Sequence, residues 1–274
     1  MSRRPLDAEL VRRGLAGDRE QARQLVADGL VLVSGSVAET PSRQVQPGEP
    51  LVLRRPPRYV GRGGLKLEAA LDRFEIDVAG LRALDAGAST GGFTDCLLQR
   101  GAEHVWAVDV GRNQLHERLR ADPRVTSMER TDIRKVDPEA IGGPVPLLIG
   151  DLSFISLRTV APALVRLVQP GGRMVLLVKP QFEATRAEAS RGRGVVADPD
   201  VWRRSIREVD AALGQAGASM MGLMCSPIRG AEGNVEFLLD AEVTAGGARS
   251  RLTDATLDAV IAEAAGADRP EPAS

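Results

Sequence analysis

One short stretch, residues 84–93, constrains the fold of this chain more than any other. It reads Leu-Asp-Ala-Gly-Ala-Ser-Thr-Gly-Gly-Phe and continues a mostly apolar run that begins at Leu81. The run predicts a central parallel strand closed by Asp85, and the glycines permit a tight turn that approaches a ligand closely. Residues 92–100 then predict an amphipathic helix whose first amides face the crevice at the carboxyl end of the strand. The stretch therefore indicates a nucleotide pocket in an open α/β sheet.

The turn is not the dinucleotide motif. Its spacing, D-x-G-x-x-x-G-G, lacks the second glycine of G-x-G-x-x-G, which allows the backbone to approach a pyrophosphate. A second apolar run, residues 104–108, ends in Asp109, the position from which a carboxylate reaches ribose hydroxyls. A glycine-rich turn alone also occurs as ordinary turn chemistry, and Asp109 is what favours a ligand.

These features indicate an adenosine ligand without a diphosphate. S-adenosylmethionine fits better than NAD, because it joins adenosine to a zwitterionic methionine that backbone amides and a carboxylate can hold. Asp132, which follows the third predicted strand, is placed to contact the adenine amino group. The predicted cofactor contacts are Asp85, Gly87, Ala88, Ser89, Thr90, Gly91, Gly92, Phe93, Asp109 and Asp132.

Strands and helices alternate regularly from Leu81 onward, which predicts an α/β fold. Helical patterns separate most of the strands, and the last two strands lie close together in the sequence. This spacing predicts a doubly wound sheet whose final hairpin inserts one antiparallel strand. The predicted strands are 81–85, 104–109, 124–128, 146–150, 173–178, 219–224 and 235–240.

Residues 1–54 predict a separate, small α+β domain. Helical patterns at 5–14 and 19–28, the second with Asp18 as N-cap, precede short strands. Residues 1–62 contain eleven arginines and seven acidic residues, a local net charge of +4 in a chain whose formal net charge is −1. A local basic patch of this kind favours nucleic acid as a partner.

Two further segments predict irregular structure. Residues 55–63 have the proline, glycine and arginine content of an interdomain linker. Tyr59 in this linker either stacks on a base or packs against a domain, and packing is the favoured interpretation. Residues 264–274 are rich in Ala, Asp, Glu and Pro, which predicts a disordered tail.

Four charged residues are candidates for a reaction centre. Asp151 and Lys179 each follow a nearly continuous apolar strand, and the carboxyl ends of parallel strands converge at the mouth of the pocket. Lys66 lies in the first turn of a predicted helix, where the helix dipole opposes a cation, and Glu236 lies on a late strand. Taken singly, Asp151 and Glu236 also fit a capping or ion-pairing role, and a solvated lysine is the commoner explanation of Lys66.

The composition argues against several classes of protein. No apolar run approaches the roughly 18 residues that span a bilayer, and the N-terminus has no signal-peptide core. We therefore expect a cytoplasmic protein without a membrane partner. Cys96 and Cys225 have neither metal-binding spacing nor a disulfide framework, and no metal is predicted. His104 and His116 fit surface roles, so chemistry that depends on a histidine base is not expected.

The N-terminal residues resemble an S4 RNA-binding domain, through the order helix, helix, "ADGLVLVSGSV" and "PGEPLVL" over residues 3–54. The set Lys66, Asp151, Lys179 and Glu236 resembles the K-D-K-E constellation of 2′-O-ribose RNA methyltransferases of the FtsJ/RrmJ type, with Thr90 in place of a proline usual in their turn. Joined together, these motifs resemble the TlyA family of rRNA 2′-O-methyltransferases, also called haemolysin A. The matching stretches are "GRGGLKLEAAL", "LDAGASTGGFTDCLLQRGA", "GDLSFISL", "VKPQFE", "RGVVAD" and "SPIRGAEGNVEFLL".

The resemblance implies a Rossmann-like class I methyltransferase sheet in residues 64–245. It also implies methyl transfer from S-adenosylmethionine to cytidine 2′-hydroxyls in ribosomal RNA of the small subunit, the large subunit or both. One departure lies in the linker, where Pro57 precedes Arg58-Tyr59-Val60 and relatives carry an Arg-x-Trp-Val pattern. That departure bears on whether the linker couples RNA binding to cofactor binding.

The S4 resemblance implies that arginines grip structured RNA through its phosphates. A basic, flexible loop is also predicted at residues 186–193, where it either closes over RNA or is simply solvated. The arginines assigned to RNA are Arg12, Arg13, Arg19 and Arg23 in the S4 domain, Arg58 and Arg62 in the linker, and Arg191 and Arg193 in the loop.

A ribose 2′-hydroxyl is a poor nucleophile, so an enzyme must align it with the methyl group and remove its proton. We assign Lys179 as the base or hydroxyl-orienting group, Asp151 as its partner, and Lys66 and Glu236 as substrate-positioning residues.

Three alternatives stay open. The first is an RNA-binding scaffold without catalysis, which the complete set of four residues disfavours. The second is a membrane-active haemolysin, which the absence of a long apolar segment disfavours. The third is N-methylation of a base, because residues 151–154 loosely resemble a D-P-P-Y loop.

Overall fold

The computed structural model describes residues 3–54, 57–244 and 250–266. The chain divides into two compact units, residues 1–58 and 59–274. Residues 59–63, which the sequence places in a linker, thus belong to the second unit. Tyr59 is buried there, and the backbone N–H of Val60 donates a hydrogen bond to Asp95 (2.9 Å).

The first unit is a small α+β structure with a core of its own. Leu6, Leu10, Val26 and Val31 are fully or almost fully buried in that core. Asp18 accepts a hydrogen bond from the backbone N–H of Gln21 (2.8 Å), as expected of an N-cap. The elements are β1 (Arg4–Pro5), α1 (Leu6–Arg12), α2 (Arg19–Ala27), β2 (Val31–Val33), β3 (Ser36–Val37), β4 (Gln44–Val45) and β5 (Leu51–Leu53). A three-stranded sheet has the order β3-β2-β5, and β1 pairs with β4.

The second unit is built on a seven-stranded sheet. Its elements are α3 (Gly63–Arg73), β6 (Arg82–Ala86), α4 (Gly92–Gln99), β7 (His104–Val108), α5 (Glu117–Arg120), β8 (Val125–Met128), β9 (Val145–Gly150), α6 (Leu157–Arg166), β10 (Val168–Val178), α7 (Pro180–Glu183), α8 (Arg186–Arg191), α9 (Pro199–Ala216), β11 (Ala218–Cys225), β12 (Phe237–Val243) and α10 (Asp254–Gly266). Short 3₁₀ helices span Ile133–Lys135 and Pro138–Ile141.

The sheet order is β11-β12-β10-β9-β6-β7-β8. Strand β12 is antiparallel to both of its neighbours, whereas the pairs among β6 to β10 are parallel. The predicted doubly wound sheet with one inserted antiparallel strand is confirmed.

Alternating side chains of the central strands fill two hydrophobic cores, one on each face of the sheet. Leu148 and Leu176 pack into the core that contains Trp202. Leu147 and Ile149 pack into the core that contains Leu67 and Phe93. Burial on both faces explains why these strands are nearly continuous apolar runs. Parallel pairing of β9 with β6 and with β10 places the carboxyl ends of these strands side by side, and Asp151 and Lys179 directly follow β9 and β10.

Two segments are more regular than the sequence analysis predicts. The predicted basic loop contains helix α8, because Thr185 and Glu188 form a capping box at its start. Residues 264–266 of the predicted tail end helix α10, since Leu257, Val260 and Ala264 share its buried face. Residues 267–274 lie outside the described residues. No helix in the part of the chain that the structure describes is long and apolar enough to cross a membrane.

Candidate active site

The glycine turn between β6 and α4 depends on two glycines with positive φ. Gly87 has φ +87°, and a Cβ there would lie 2.7 Å from the carbonyl oxygen of Asp151. Gly91 has φ +96° and precedes α4, and a Cβ there would lie 2.3 Å from Leu119 Cδ1. The first glycine therefore allows β9 to approach the turn, and the second allows the helix to start against Leu119.

Two adjoining cavities open at the carboxyl ends of the strands. The larger cavity, about 520 Å³, is lined by residues 108–111, Gln114, residues 131–134 and residues 151–155, with Gly87 and Ser89. The lysine cavity, about 310 Å³, is lined by residues 61–63, Lys66, residues 87–90, Gly92, Phe93, Asp151, Lys179, Gly230, Ala231 and Glu236. Gly87, Ser89 and Asp151 line both cavities.

Asp109 and Asp132 lie in the wall of the larger cavity. Asp109 accepts hydrogen bonds from the backbone N–H groups of Ser89 (2.8 Å) and Gly111 (2.6 Å). Asp132 is paired with Arg134, whose Nη2 lies 2.5 Å from Oδ2. The hydrogen bonds from Arg134 lower the pKa of Asp132 to about 2. Both predicted residues therefore line the cavity, and Asp132 is held there as a carboxylate.

Asp85 and Gly91, two of the predicted cofactor contacts, line neither cavity. Asp85 is fully buried behind the turn, where Oδ2 accepts a hydrogen bond from Thr94 Oγ1 (2.7 Å). Its Oδ1 has no hydrogen-bond partner among the described residues. Burial raises the pKa of Asp85 to about 7, and the carboxylates of Asp151 and Asp109 add to that effect. The hydrogen bond from Thr94 joins α4 to β6, and Asp85 lines neither cavity.

The lysine cavity contains two lysine–carboxylate pairs. Lys66, on α3, donates a hydrogen bond to Glu236, which immediately precedes β12. Lys66 is 7% exposed and Glu236 is 3% exposed, so this pair is buried. The predicted residues Lys66 and Glu236 are thus brought into direct contact, although 170 positions separate them in the sequence.

The second pair joins the ends of the neighbouring strands β9 and β10. Lys179 Nζ lies 2.5 Å from Asp151 Oδ1 in an ion pair. The same Nζ donates a hydrogen bond to Ser153 Oγ (2.8 Å), a residue that the sequence analysis did not single out. Lys179 is 8% exposed, whereas Asp151 is partly exposed. The second pair is therefore open toward the larger cavity, which Asp151 and Ser153 also line.

Two aromatic rings flank the second pair. Phe154 is 92% exposed, has φ +63° and lines the larger cavity. Its ring centroid lies 5.3 Å from that of Phe182, and Lys179 Nζ lies 5.7 Å from the centroid of Phe182. Sequence analysis missed both rings. The signal for Phe154 was its place in the quoted stretch "GDLSFISL", directly after the charged strand end.

Four arginines predicted to bind RNA form ion pairs with two buried acidic residues of the first unit. Arg12 and Arg13 contact Glu9, and Arg19 and Arg23 contact Asp7. Hydrogen bonds from Arg12 are the main cause that lowers the pKa of Glu9 to about 2. The guanidinium groups of Arg12, Arg19 and Arg23 remain largely accessible, so the acids orient them at the surface.

The remaining predicted arginines lie in three parts of the chain. Arg62 is exposed and lines the lysine cavity, beside the catalytic candidates. Arg191 and Arg193 are exposed at the end of α8 and after it, and Arg58 is exposed in the first unit. Among the described residues, no group of His, Cys, Asp or Glu side chains is arranged to hold a metal ion.

Comparison with known families assigns both units. Residues 59–242 match the family described as FtsJ-like methyltransferase, and residues 4–51 match the S4 domain. A relative from Mycobacterium tuberculosis, named 16S/23S rRNA (cytidine-2′-O)-methyltransferase TlyA, is 50% identical over 87% of this chain and 90% of its own length. Hemolysin A of Brachyspira hyodysenteriae is 36% identical over 85% of this chain and 97% of its own. A solved structure from Streptococcus thermophilus is 41% identical, covers 96% of both chains and has a TM-score of 0.73.

Proposed function

The chain belongs to the FtsJ-like methyltransferase family, and from this premise we propose that it methylates the 2′-hydroxyl of a cytidine in ribosomal RNA, with S-adenosylmethionine as the methyl donor. The observation that carries the proposal is the lysine cavity, in which two lysine–carboxylate pairs adjoin the glycine turn. The mycobacterial relative is named for this reaction on both ribosomal subunits. An rRNA substrate supports the cytoplasmic location that we expect from the sequence.

The larger cavity fits S-adenosylmethionine by the chemistry of its lining. Asp109 has acceptor capacity left beyond its two backbone bonds, which suits ribose hydroxyls. Val110 and Ile133 offer apolar surface for the adenine ring, and the Asp132 carboxylate suits its amino group. Gly87 lines both cavities without adding a side chain to either. When bound, S-adenosylmethionine supplies an electrophilic methyl group on a sulfonium centre.

Lys179 is the residue best placed to act on the 2′-hydroxyl. Its Nζ carries three N–H donors, of which one goes to Ser153 while the Asp151 carboxylate lies alongside. A donor or, in the neutral amine, a lone pair remains for the 2′-oxygen, which Lys179 holds in line or deprotonates. Asp151 fixes the direction of the lysine side chain.

Lys66 and Glu236 serve a different purpose, because they are paired to each other in the buried wall of the cavity. A buried pair of this kind keeps a fixed geometry, since moving either partner leaves an uncompensated charge. We assign these two residues to positioning the ribose, with Lys66 presenting the cation and Glu236 orienting it.

The S4 unit and the exposed arginines supply the contacts to RNA. Arg12, Arg19 and Arg23 are held at the surface by Glu9 and Asp7, which suits contacts to phosphates. Arg13 is less exposed, because its guanidinium donates to the backbone carbonyls of Gln46, Pro47 and Glu49. Phe154 presents an exposed ring at the cavity mouth, on which an unstacked base can stack. Recognition of a 2′-hydroxyl itself selects RNA over DNA.

Methyl transfer to isolated ribosomal subunits tests this function. Purified enzyme is incubated with labelled S-adenosylmethionine and with small or large subunits, and 2′-O-methyl sites are mapped by their resistance to alkali. The matched pair of variants is Lys179→Ala and Lys135→Ala, because Lys135 is exposed, lies outside both cavities and is the third of only three lysines. We expect label at a cytidine ribose with wild type and Lys135→Ala, and a loss with Lys179→Ala.

Three outcomes contradict the proposal at different points. Equal transfer by Lys179→Ala removes the role of this lysine. Nucleoside mass spectrometry that finds the methyl group on a base replaces ribose by base methylation. Absence of transfer to either subunit or to free rRNA, despite measurable cofactor binding, favours the RNA-binding scaffold.

A further inference from the structure

Two loops carry the second lysine–carboxylate pair. The aspartate loop, residues 151–156, follows β9 and contributes Asp151 and Ser153. The lysine segment, residues 179–183, follows β10 and contributes Lys179 and the one-turn helix α7. Backbone pairing of β9 and β10 ends at Gly150 and Leu176, so ladder hydrogen bonds do not align the two loops beyond that point. Side chains must hold one loop against the other.

Glu183 is the side chain that joins them. It is 4% exposed, and its carboxylate accepts hydrogen bonds from Ser156 Oγ (2.5 Å), Leu157 N–H (2.7 Å) and Arg158 Nε (3.1 Å). Arg158 Nη2 also donates to the backbone carbonyl of Glu183 (2.9 Å). The end of the lysine segment is therefore fastened by four hydrogen bonds to the end of the aspartate loop and the start of α6.

The partners of Glu183 are themselves fixed. Ser156 is the N-cap of α6, and Leu157 has one of the N–H groups at a helix start that lack an intrahelical acceptor. Arg158 is held on its other side by Glu208 of α9 (2.5 Å). Burial raises the pKa of Glu183, against the effect of its hydrogen-bond donors. A carboxylate as buried as that of Glu183 requires hydrogen-bond donors, so the contact between the two loops has a fixed set of partners.

We propose that Glu183 is a positioning residue for methyl transfer, which acts by fastening the lysine segment to the aspartate loop and thereby fixing Lys179 Nζ beside Asp151 and Ser153. The inference rests on the proposed function. Glu183 lines neither the lysine cavity nor the larger cavity, so we assign it a role that acts through Lys179. Glu183 ends the stretch "VKPQFE", and nothing in its local sequence reveals this role.

The substitution Glu183→Gln distinguishes positioning of Lys179 through the hydrogen bonds of Glu183 from a role of this side chain in packing alone. The amide keeps the shape and still accepts the Leu157 N–H, but its NH₂ group faces the guanidinium of Arg158, donor against donor. Because misplacement of a reacting group by about 1 Å can reduce the rate by about 100-fold, we expect kcat to fall by about 10- to 100-fold. KM for the ribosomal subunit should change little, and the pH dependence of kcat should shift.

Asp240→Asn is the matched control. Asp240 is also a buried carboxylate, 3% exposed, and it accepts two hydrogen bonds from Arg173 (2.7 and 2.6 Å). It lies on β12 and lines neither the larger cavity nor the lysine cavity. Both variants should lose stability to urea, but only Glu183→Gln should alter kcat and its pH profile.

A second readout does not depend on turnover. The chain has only three lysines, so limited acylation followed by mass spectrometry reports the reactivity of Lys179 with Lys135 as an internal reference. We expect Glu183→Gln to acylate several-fold faster at Lys179, because the side chain is no longer held against Asp151. Asp240→Asn should match the wild type.

The outcomes separate a failure of the role assigned to Glu183 from a failure of the proposed methyl transfer. If Glu183→Gln matches Asp240→Asn in kcat, pH profile and acylation, Glu183 is a structural carboxylate and the inference is wrong. If the wild type transfers no methyl group, the proposed function is wrong, whatever Glu183 does to the acylation of Lys179. If Lys179→Ala transfers the methyl group normally, Lys179 has no role in the reaction and the inference about Glu183 is wrong, whereas the proposed function stands.

Discussion

The carboxylate of Asp95 accepts the backbone N–H of Val60 at 2.9 Å and the guanidinium of Arg118 at 2.8 Å. Asp95 belongs to α4, directly after the glycine turn, and Val60 begins the segment that forms one wall of the lysine cavity. A single buried side chain thus joins the helix behind the turn to that wall and to α5.

Asp95→Ala should destabilise the protein and impair catalysis together. It leaves the Val60 N–H without its acceptor, which costs about 1–3 kcal/mol when the donor is buried. The free energy of unfolding in urea and kcat/KM are the measurements. Asp72→Ala is the control, because Asp72 is an exposed carboxylate paired with Arg100 (2.6 Å), and surface pairs contribute about 0–1 kcal/mol. Equal losses for both variants would contradict the role of Asp95.

Gly87→Ala should remove cofactor binding. The new Cβ would lie 2.7 Å from the Asp151 carbonyl oxygen, in addition to the backbone strain at φ +87°. Gly80→Ala has a similar φ, +70°, but its Cβ would meet no atom within 4 Å, so it reports the strain alone, about 1–2 kcal/mol. Calorimetric titration with S-adenosylmethionine measures the difference. Tight binding by Gly87→Ala would show that β9 can move away from the turn.

Asp85 should make stability fall as the pH rises. Its pKa is about 7 in the folded chain, above the ordinary value of 3.8, so between these two values the folded state keeps a proton that the unfolded state has lost. Stability therefore declines with a slope of up to about 1.4 kcal/mol per pH unit, and the full penalty is present above pH 7. Asp85→Asn cannot titrate, and its stability relative to wild type should rise between pH 5 and pH 8.

Asp132→Asn provides the control for that experiment. The pKa of Asp132 is about 2, below its ordinary value, so the contribution of this carboxylate to the free energy of unfolding is complete above pH 4 and is lost only in stronger acid. The difference in the free energy of unfolding between Asp132→Asn and wild type should therefore stay constant between pH 5 and pH 8. Urea unfolding at four pH values distinguishes the two variants, and a constant difference for Asp85→Asn would refute its high pKa.

Arg23→Ala should weaken rRNA binding through charge alone. Arg23 is largely exposed beside Asp7 in the first unit. Loss of one phosphate contact reduces the slope of log affinity against log salt by about 1, with a similar effect on all sequences. Titration of labelled rRNA at several salt concentrations measures that slope. The comparison is Arg73→Ala, an exposed arginine of α3 in the second unit, and equal slopes for both variants would exclude a special role for Arg23.

The sequence predicts that Asp151 and Lys179 lie close together, and the reason is the geometry of parallel strands. Each follows a long apolar run, such runs become neighbouring parallel strands, and their carboxyl ends lie at one edge of the sheet. Lys66 and Glu236 are different, because neither their spacing nor their flanking residues reveals that they touch. The resemblance to a family placed them in one constellation, and their direct pairing required the structure.

Other features depend on which way a residue faces, and a local pattern does not determine that. Asp85 and Gly87 are two positions apart in the same turn, yet one is buried behind it and the other lines both cavities. Glu183 acts through a contact between two loops, which no spacing rule predicts. Helix α8 is a separate case, since its capping signal, Thr185-x-x-Glu188, is visible in the sequence and was outweighed by the basic composition.

The position of β12 in the sheet determines when the pair of Lys66 and Glu236 can form during synthesis of the chain. Glu236 reaches Lys66 only when β12 has entered the sheet between β10 and β11, and β12 is the one strand among the described residues that pairs with β11. During synthesis, more than half of the chain must follow Lys66 out of the ribosome before its carboxylate arrives. Until then the lysine has no counter-charge from that strand, and the cavity has no wall on that side. If the proposed roles of Lys66 and Glu236 are right, we expect a chain that lacks β12 to transfer no methyl group to RNA.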